Sequence, residues 1–229
     1  MHRFAVISDL HANLEALDEV LSRIEGFEVY CLGDFVDYGA NPNEVIERAR
    51  DRGVRSILGN HDAAVFTGDT SLFNARAAMG SQWTSRRLKD SNKAYLRTLP
   101  QELRVTIEGI NLYMTHGSPD DSLWEYVDPR THSDLFGHYL DKTNSKIMGL
   151  GHTHLPFVWK EGGRVVLNPG SVGQPRDGDR RASYAVLELA ENHLGVEIVR
   201  VEYDYKKAAS KIREAGLPAQ FADRLTEGS

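Results

Sequence analysis

The sequence is short of cysteine, of long apolar runs and of positive charge, and each shortage removes a class of protein. A single cysteine, Cys31, among 229 residues excludes an intrachain disulfide framework. It stands in the apolar stretch Val29-Tyr30-Cys31-Leu32, which reads as a buried, inert thiol in a reducing compartment. No run approaches the roughly 18 apolar residues of a transmembrane helix, so no membrane partner is expected. Met1 to Ser8 lack the basic, then apolar, then small-residue plan of a signal peptide, and a cytoplasmic location is the expectation. There is no Pro-, Gly- or Ser-rich linker, no repeat and no low-complexity tract, which favours one domain over residues 1–229. The 33 acidic residues outnumber the 27 basic ones and leave a formal charge of −6. That balance offers no extended nucleic-acid surface, and an anionic ligand would need positive charge supplied by its own site.

What is present is an ordinary globular mixture, 41% hydrophobic and 26% charged, with enough apolar material for a sizeable core. Phe4-Ala5-Val6-Ile7 reads as a buried strand. From Asn13 the period changes: Leu14, Leu17, Leu21 and Ile24 recur at helical steps, and Gly26 ends the helix. Glu28 to Leu32 is a second strand. Asn41-Pro42-Asn43-Glu44 has the form of a capped helix start, with Asn41 as cap and Glu44 completing a capping box. Val54 to Leu58 is a third strand. Strands alternating with amphipathic helices predict a largely parallel sheet.

Residues 63–100 differ: few are β-branched, and two or so helices fit there as an insertion beside the site, with Ala75, Ala78, Met79, Trp83 and Leu88 among the apolar positions. The second half is strand-rich. Hairpins are expected at 103–115 through Glu108-Gly109, at 157–167 through Gly162-Gly163, and at 183–203 through Asn192, with a strand at 146–150 between them. A second sheet packed on the first follows, with a C-terminal hairpin plus helix at about 182–225.

The polar residues that carry chemistry gather where these strands end. They are Asp9-Leu10-His11, Gly33-Asp34-Phe35-Val36-Asp37, Gly59-Asn60-His61-Asp62, Thr115-His116-Gly117 and Gly151-His152-Thr153-His154. Strand ends are the edge at which open α/β sheets build sites. Residues two apart leave a strand on one side, so Asp9 and His11 can meet one ion, and His152 and His154 one centre. Carboxylate, imidazole and amide oxygen together suit Mn, Fe, Co, Ni or Zn rather than Mg or Ca. Asp9, His11, Asp34, Asn60, His116, His152 and His154 are more ligands than one ion needs. Two ions about 3.5 Å apart, bridged by one carboxylate and one hydroxide, use them all.

This combination resembles the calcineurin-like metallophosphoesterases, and Asp-x-His-x-Asn through Asn13, with Asn168-Pro169-Gly170-Ser171, resembles their small bacterial and archaeal phosphodiesterase branch. The resemblance implies an α/β fold in four α-β-β-α layers, two mixed sheets flanked by helices. It implies two divalent transition metal ions, manganese first, with iron, nickel, cobalt or zinc as alternatives. One ion would be held by Asp9, His11, Asp34 and His154, the other by Asp34, Asn60, His116 and His152. His61 would serve the leaving-group oxygen, oriented by Asp37. The expected activity is hydrolysis of small phosphodiesters or nucleotides by in-line attack of a metal-bridging hydroxide. A phosphomonoesterase or nucleotide phosphatase is the alternative, and a metal-binding interaction scaffold is the alternative of another class.

One departure bears on substrate. Relatives that act as protein phosphatases or symmetric diadenosine tetraphosphate hydrolases carry an arginine where this chain has Tyr38. Arg76, Arg86, Arg87, Arg130, Arg176, Arg180 or Arg181 are the candidates to replace it. Trp124 and Tyr126 follow His116 in a loop that reads as running into a short helix, and are candidates to stack a nucleobase, with Asn13 a further substrate contact. The competing reading is that Leu123 and Trp124 pin that loop to the core. A small phosphorylated substrate is the expected partner, and no oligomeric state is legible in the pattern.

Overall fold

The computed structural model describes residues 1–191 and 193–229. The turn expected through Asn192 lies outside the described residues.

The first sheet collects β1 (His2–Ile7), β2 (Glu28–Cys31) and β3 (Arg55–Ser56), with β9 (Ala182–Ala190) and β10 (His193–Val201), in the order β10-β9-β1-β2-β3. Its first three strands are parallel, as the strand–helix alternation predicts, and the late hairpin adds antiparallel to β1. The second sheet collects β4 (Glu102–Ile107), β5 (Ile110–Thr115), β6 (Ile147–Leu150), β7 (Phe157–Glu161) and β8 (Arg164–Asn168), in the order β4-β5-β6-β8-β7. Here β5, β6 and β8 are parallel and the edges antiparallel. Glu108 and Gly109 both have positive φ in the β4–β5 turn, as do Gly162 and Gly163 in the β7–β8 turn. That is the geometry a two-residue hairpin requires.

Side-chain alternation sorts the layers. Phe4 and Val6 of β1 point between the sheets, with Tyr30, Leu112, Met114, Ile147 and Leu187. Ala5 and Ile7 point the other way, into a core shared with α1 (Leu14–Arg23) and α2 (Pro42–Asp51). The outer face of the second sheet, with Tyr113 and Met148, packs against Phe136, Tyr139 and Leu140. The result is the expected four-layer sandwich of two mixed sheets flanked by helices. At roughly 25 cal/mol per Å² of apolar surface, this burial between layers is the dominant stabilising term. Among the described residues, no helix is long and apolar enough to cross a membrane.

The stretch 63–100, where two or so helices are expected, holds α4 (Ala75–Arg87) and α5 (Asp90–Thr98), preceded by α3 (Asn60–Thr67), which begins before it. The Gly-Asn-His-Asp cluster is therefore not a free loop, because Asn60 opens α3. α4 buries small residues, Ala77, Gly80, Ser81 and Thr84, while Met79 is exposed. Asn41 precedes α2 but makes no side-chain cap. Its Oδ1 instead accepts from Lys211 Nζ at 3.1 Å, so a tertiary contact has displaced the local one. The segment after His116 continues through α6 (Pro129–His132) and a 3₁₀ turn to α7 (Phe136–Thr143). The tail carries two helices, α8 (Tyr205–Glu214) and α9 (Ala219–Glu227); α9 buries Phe221, Ala222 and Leu225.

Candidate metal centre

The C-terminal ends of β1, β2, β5 and β6 all open on one edge of the sandwich. The backbone there is bent hard. Asp9, His11, Ala12, Asp34, Asp37, Tyr38, His152 and His154 have positive φ, between 43° and 69°. L-residues in that region cost of order 1–2 kcal/mol each, and such strain gathers at functional sites. These turns, not strand alternation, bring the side chains together: β1 ends at Ile7 and β6 at Leu150, before the residues concerned. His152 and His154 consequently part company. His154 joins Asp9 and His11, while His152 joins Asp34 and His116, each trio with its ligand atoms within 4.8 Å of one another.

All six residues are nearly or fully buried. Asp34 lies between the trios, its Oδ2 3.3 Å from His116 Nε2 and 3.7 Å from His11 Nε2. Asn60 turns its Oδ1 to His116 Nε2 at 3.0 Å. All seven expected ligands are thus gathered in one place.

The donor set fits cations. The Nδ1 atoms of His11, His154 and His116 face the carbonyls of Val36 at 2.8 Å, Gln174 at 2.6 Å and Leu32 at 2.7 Å. Those carbonyls accept, so Nδ1 carries a proton in all three and Nε2 is the nitrogen turned inward, with a free lone pair in His11 and His154. The Nε2 atoms of His11 and His154 then face each other at 3.1 Å, lone pair to lone pair, with no proton between them. Among the described residues, both oxygens of Asp9, Oδ2 of Asp34 and Nε2 of His152 are buried without hydrogen-bond partners. Orphaned acceptors pointing at one another are costly unless a positive charge sits among them.

Electrostatics agree. Burial pulls the His11 and His154 imidazoles well below their ordinary range, and pulls His152 down to about 3. Neutral imidazole is the metal-binding form. Burial also pushes the Asp9 carboxyl up to about 6. Burial opposes protonation of His116 too, but the Asp34 charge outweighs it and raises this histidine to about 9. A proton there supplies some of the positive charge the cluster wants.

His61 stands beside these groups, edge-on to His11 with ring centroids 5.1 Å apart. Its Nδ1 donates to Asp37 Oδ2 at 2.8 Å and its Nε2 lies 3.2 Å from the Tyr38 hydroxyl. Burial opposes its charge, but Asp34 and Asp37 together raise its pKa above the ordinary value.

Asn13 is not where a substrate contact should be. It is buried, its Oδ1 caps α1 through Ala16 N, and its Nδ2 donates to the Gly173 carbonyl. Tyr126 is 57% exposed and lies against His152, ring centroids 4.0 Å apart. Trp124 is partly buried on Phe73, which stacks on His61 at 4.4 Å. Of the candidate arginines, Arg130 and Arg181 pair with Asp128 and Asp179, Arg87 lies on Trp83, and Arg180 on Tyr205. Arg176 lies over Tyr38, 5.7 Å from its ring, and its charge reaches Asp9, His11 and His61.

Two contributors went unrecognised in the sequence. Asp62 accepts from the backbone N–H groups of Asp34 and Phe35 at 2.8 Å and of Gly59 at 3.1 Å, and so clamps the Asp34 turn to the start of α3. Its place in Gly-Asn-His-Asp was the available signal. Ser171, in Asn-Pro-Gly-Ser, donates to the Asp9 carbonyl at 2.7 Å, while Val172 and Gly173 donate to those of Ser8 and Asp9. That segment is a brace for the Asp9 turn.

The comparisons with known proteins point the same way. Residues 2–192 match the calcineurin-like phosphoesterase superfamily domain. An uncharacterized protein of Methanocaldococcus jannaschii is 41% identical over 245 residues, covering 98% of this chain and 97% of its own. The crystal structure of a metallophosphoesterase from Sphaerobacter thermophilus is 35% identical with a TM-score of 0.84, covering 100% of this chain and 99% of that one. A hypothetical protein from Pyrococcus horikoshii is 25% identical with a TM-score of 0.89 over the same shares. With paired metal-binding trios at the shared edge of two mixed sheets, the chain belongs to the calcineurin-like phosphoesterase superfamily.

Proposed function

We propose that the protein is a dinuclear metal-dependent phosphoester hydrolase acting on small phosphodiesters or nucleotides. Asp9, His11 and His154 would hold one divalent transition metal, manganese first, and Asn60, His116 and His152 the other, with Asp34 shared. Two such cations supply the activation of water and the positive charge that attack on a phosphoester needs.

The observation that carries the reading is His61. Asp37 fixes its Nδ1, which leaves Nε2 directed to the site, where it would give a proton to the departing oxygen. Placement of such an acid is worth about 10²- to 10⁴-fold. The Tyr38 hydroxyl, 3.2 Å from that nitrogen, would steer it. Arg176 would take a non-bridging phosphoryl oxygen, the task an arginine performs in relatives at the position of Tyr38. Tyr126, exposed against His152, would form an aromatic wall for the substrate. A scaffold that only held metal would need neither His61 nor Asp37. The fixed charge of Arg176 also suits a dianionic phosphate, which keeps phosphomonoesters as the second reading.

The test is metal-stripped protein reconstituted with Mn²⁺ and assayed on bis-p-nitrophenyl phosphate and p-nitrophenyl phosphate. Metal-dependent hydrolysis that falls at least 100-fold in His61→Asn and in Asp34→Asn is expected. A protein that binds two equivalents of metal yet hydrolyses neither these substrates nor any nucleotide would refute the enzymatic reading, and preference for the monoester would select the second.

A further inference from the structure

Beside the metal centre, on the far side of Tyr38, lies a cleft of about 400 Å³ that the proposed hydrolysis leaves unused. Tyr38, Asn74, Arg76, Gln220, Phe221 and Arg224 line it, and no carboxylate does. In a chain with 33 acidic and 27 basic residues, that is an unusual wall. Behind it Gln174, 1% exposed, accepts on Oε1 from Arg176 Nη2 at 3.2 Å and from Arg224 Nη1 at 3.4 Å. Among the described residues, its Nε2 is buried with no partner. Among the described residues, Arg76, Arg176 and Arg224 have no carboxylate within ion-pairing distance.

Guanidinium groups that share one amide oxygen and lack counter-ions repel each other, and an anion relieves that repulsion. Burial and the neighbouring Arg176 charge both act against the charge on Arg224. The helices add to the field: Asn74 caps α4, 13 residues long, whose first turn holds Arg76, and Gln220 and Phe221 lie in the first turn of α9, 9 residues long. Two positive helix ends therefore adjoin the cleft.

Its position names the part of the substrate it would meet. Tyr38 is a wall common to the cleft and to His61, through the hydroxyl 3.2 Å from Nε2. The cleft lies on the side where His61 would protonate the leaving oxygen. We propose that Arg76 and Arg224 bind a second phosphate carried by the leaving group, so that the preferred substrates are phosphoesters or phosphoanhydrides whose leaving group itself bears phosphate. This rests on the hydrolase reading above. In the reaction a water oxygen bonds to the reacting phosphorus and gives up a proton. The bond from phosphorus to the leaving oxygen breaks, and that oxygen takes a proton from His61. Water is added across one P–O bond and nothing is oxidised or reduced.

Two substrates carry the required chemistry. A nucleoside triphosphate cut at its α-phosphorus releases pyrophosphate, and a nucleoside 3′,5′-bisphosphate cut at one ester releases an alcohol that bears the other phosphate. Each would be compared with bis-p-nitrophenyl phosphate, whose leaving group has none, using the Mn²⁺-loaded full chain. We expect kcat/KM for at least one of the two to exceed that for bis-p-nitrophenyl phosphate. In Arg76→Gln and Arg224→Gln the ratio should fall about tenfold each, the loss expected for one charge-assisted contact. Whichever substrate shows the effect identifies the source of the phosphate. Arg213→Gln, whose arginine pairs with Asp223 outside the cleft at 2.9 Å, is the control and should leave the ratio within twofold.

Calorimetric titration with inorganic pyrophosphate gives a readout independent of turnover. It should bind at least tenfold tighter than orthophosphate to the wild type and the control, and lose that advantage in the double variant. Ratios that do not move in the arginine variants, or a pyrophosphate advantage that survives in the double variant, would overturn the proposal. A wild type inert on every substrate would refute the hydrolase reading instead, and the pyrophosphate titration would still decide the cleft.

Discussion

Replacing Asp9 with asparagine should make the metal-free protein more stable while removing its ability to be stabilised by metal. Asp9 is fully buried, and both carboxylate oxygens lack hydrogen-bond partners among the described residues. Burial, with the Asp34 charge adding to it, raises its pKa from 3.8 to about 6. For an acid raised in this way, the stability is present below about pH 4, where both states are protonated, and is lost as pH rises through about 6. At about 1.4 kcal/mol per pH unit, ionised Asp9 costs the metal-free fold of order 3 kcal/mol at pH 7.5. Asparagine removes the charge, and its amide can donate to His154 Nε2, which lies 3.3 Å from Asp9 Oδ1. For a chain of this length about 1 kcal/mol moves Tm by about 2–4 °C, so chelator-treated Asp9→Asn should melt roughly 6–12 °C above chelator-treated wild type. Below pH 4 the two should converge. Metal acts in the opposite sense. At 100 times Kd each filled site adds about 2.7 kcal/mol to the wild type, and the variant should lose the gain from at least one site. Thermal unfolding at pH 3.8 and 7.5, with and without Mn²⁺, checks this. A destabilised metal-free variant, or one that still binds two equivalents of metal, would refute the reasoning.

Gly59→Ala should destabilise the fold by several kcal/mol and empty the metal centre, because a Cβ there would stand 2.0 Å from Asp34 Oδ1 and 2.4 Å from Asp34 N; denaturant melts and metal analysis read both effects. Asp37→Asn should retain its metal but lose about 10²- to 10³-fold in kcat, with the larger loss on substrates with poor leaving groups, since His61 loses the carboxylate that holds its tautomer. A loss of metal in parallel with activity would place Asp37 in the metal cluster rather than behind His61.

Much of this protein is written locally. Phe4 to Ile7 is apolar on both sides because both faces of its sheet are covered, and Leu14, Leu17 and Leu21 keep helical spacing because one face of α1 is buried. Gly109, Gly162 and Gly163 sit in turns whose positive φ favours glycine. The residue types of the metal centre were legible for the same reason: Asp, His and Asn beside glycine at strand ends have few structural tasks to perform together. The second helix of the tail had its own signal in Pro218 followed by Phe221, Ala222 and Leu225, a pattern that needs α8 as a partner before it means anything.

What no local pattern contains is which elements meet across the two sheets. Spacing alone would send His152 and His154 to one centre, yet positive φ at both residues divides them between two trios. Asn41 and Asn13 each stand just before a helix, but a lysine from α8 takes the first, while the second caps α1 and also donates to the Gly173 carbonyl. Arg176 and Arg224 lie 48 positions apart and meet on one buried glutamine. The sequence by itself determined the order of strands and helices and the chemistry available at their ends, because both follow from side-chain type and period within a few residues. Only the tertiary structure decided which lone pairs face each other and which arginines lack a counter-ion, because those depend on distances between chain segments far apart in sequence.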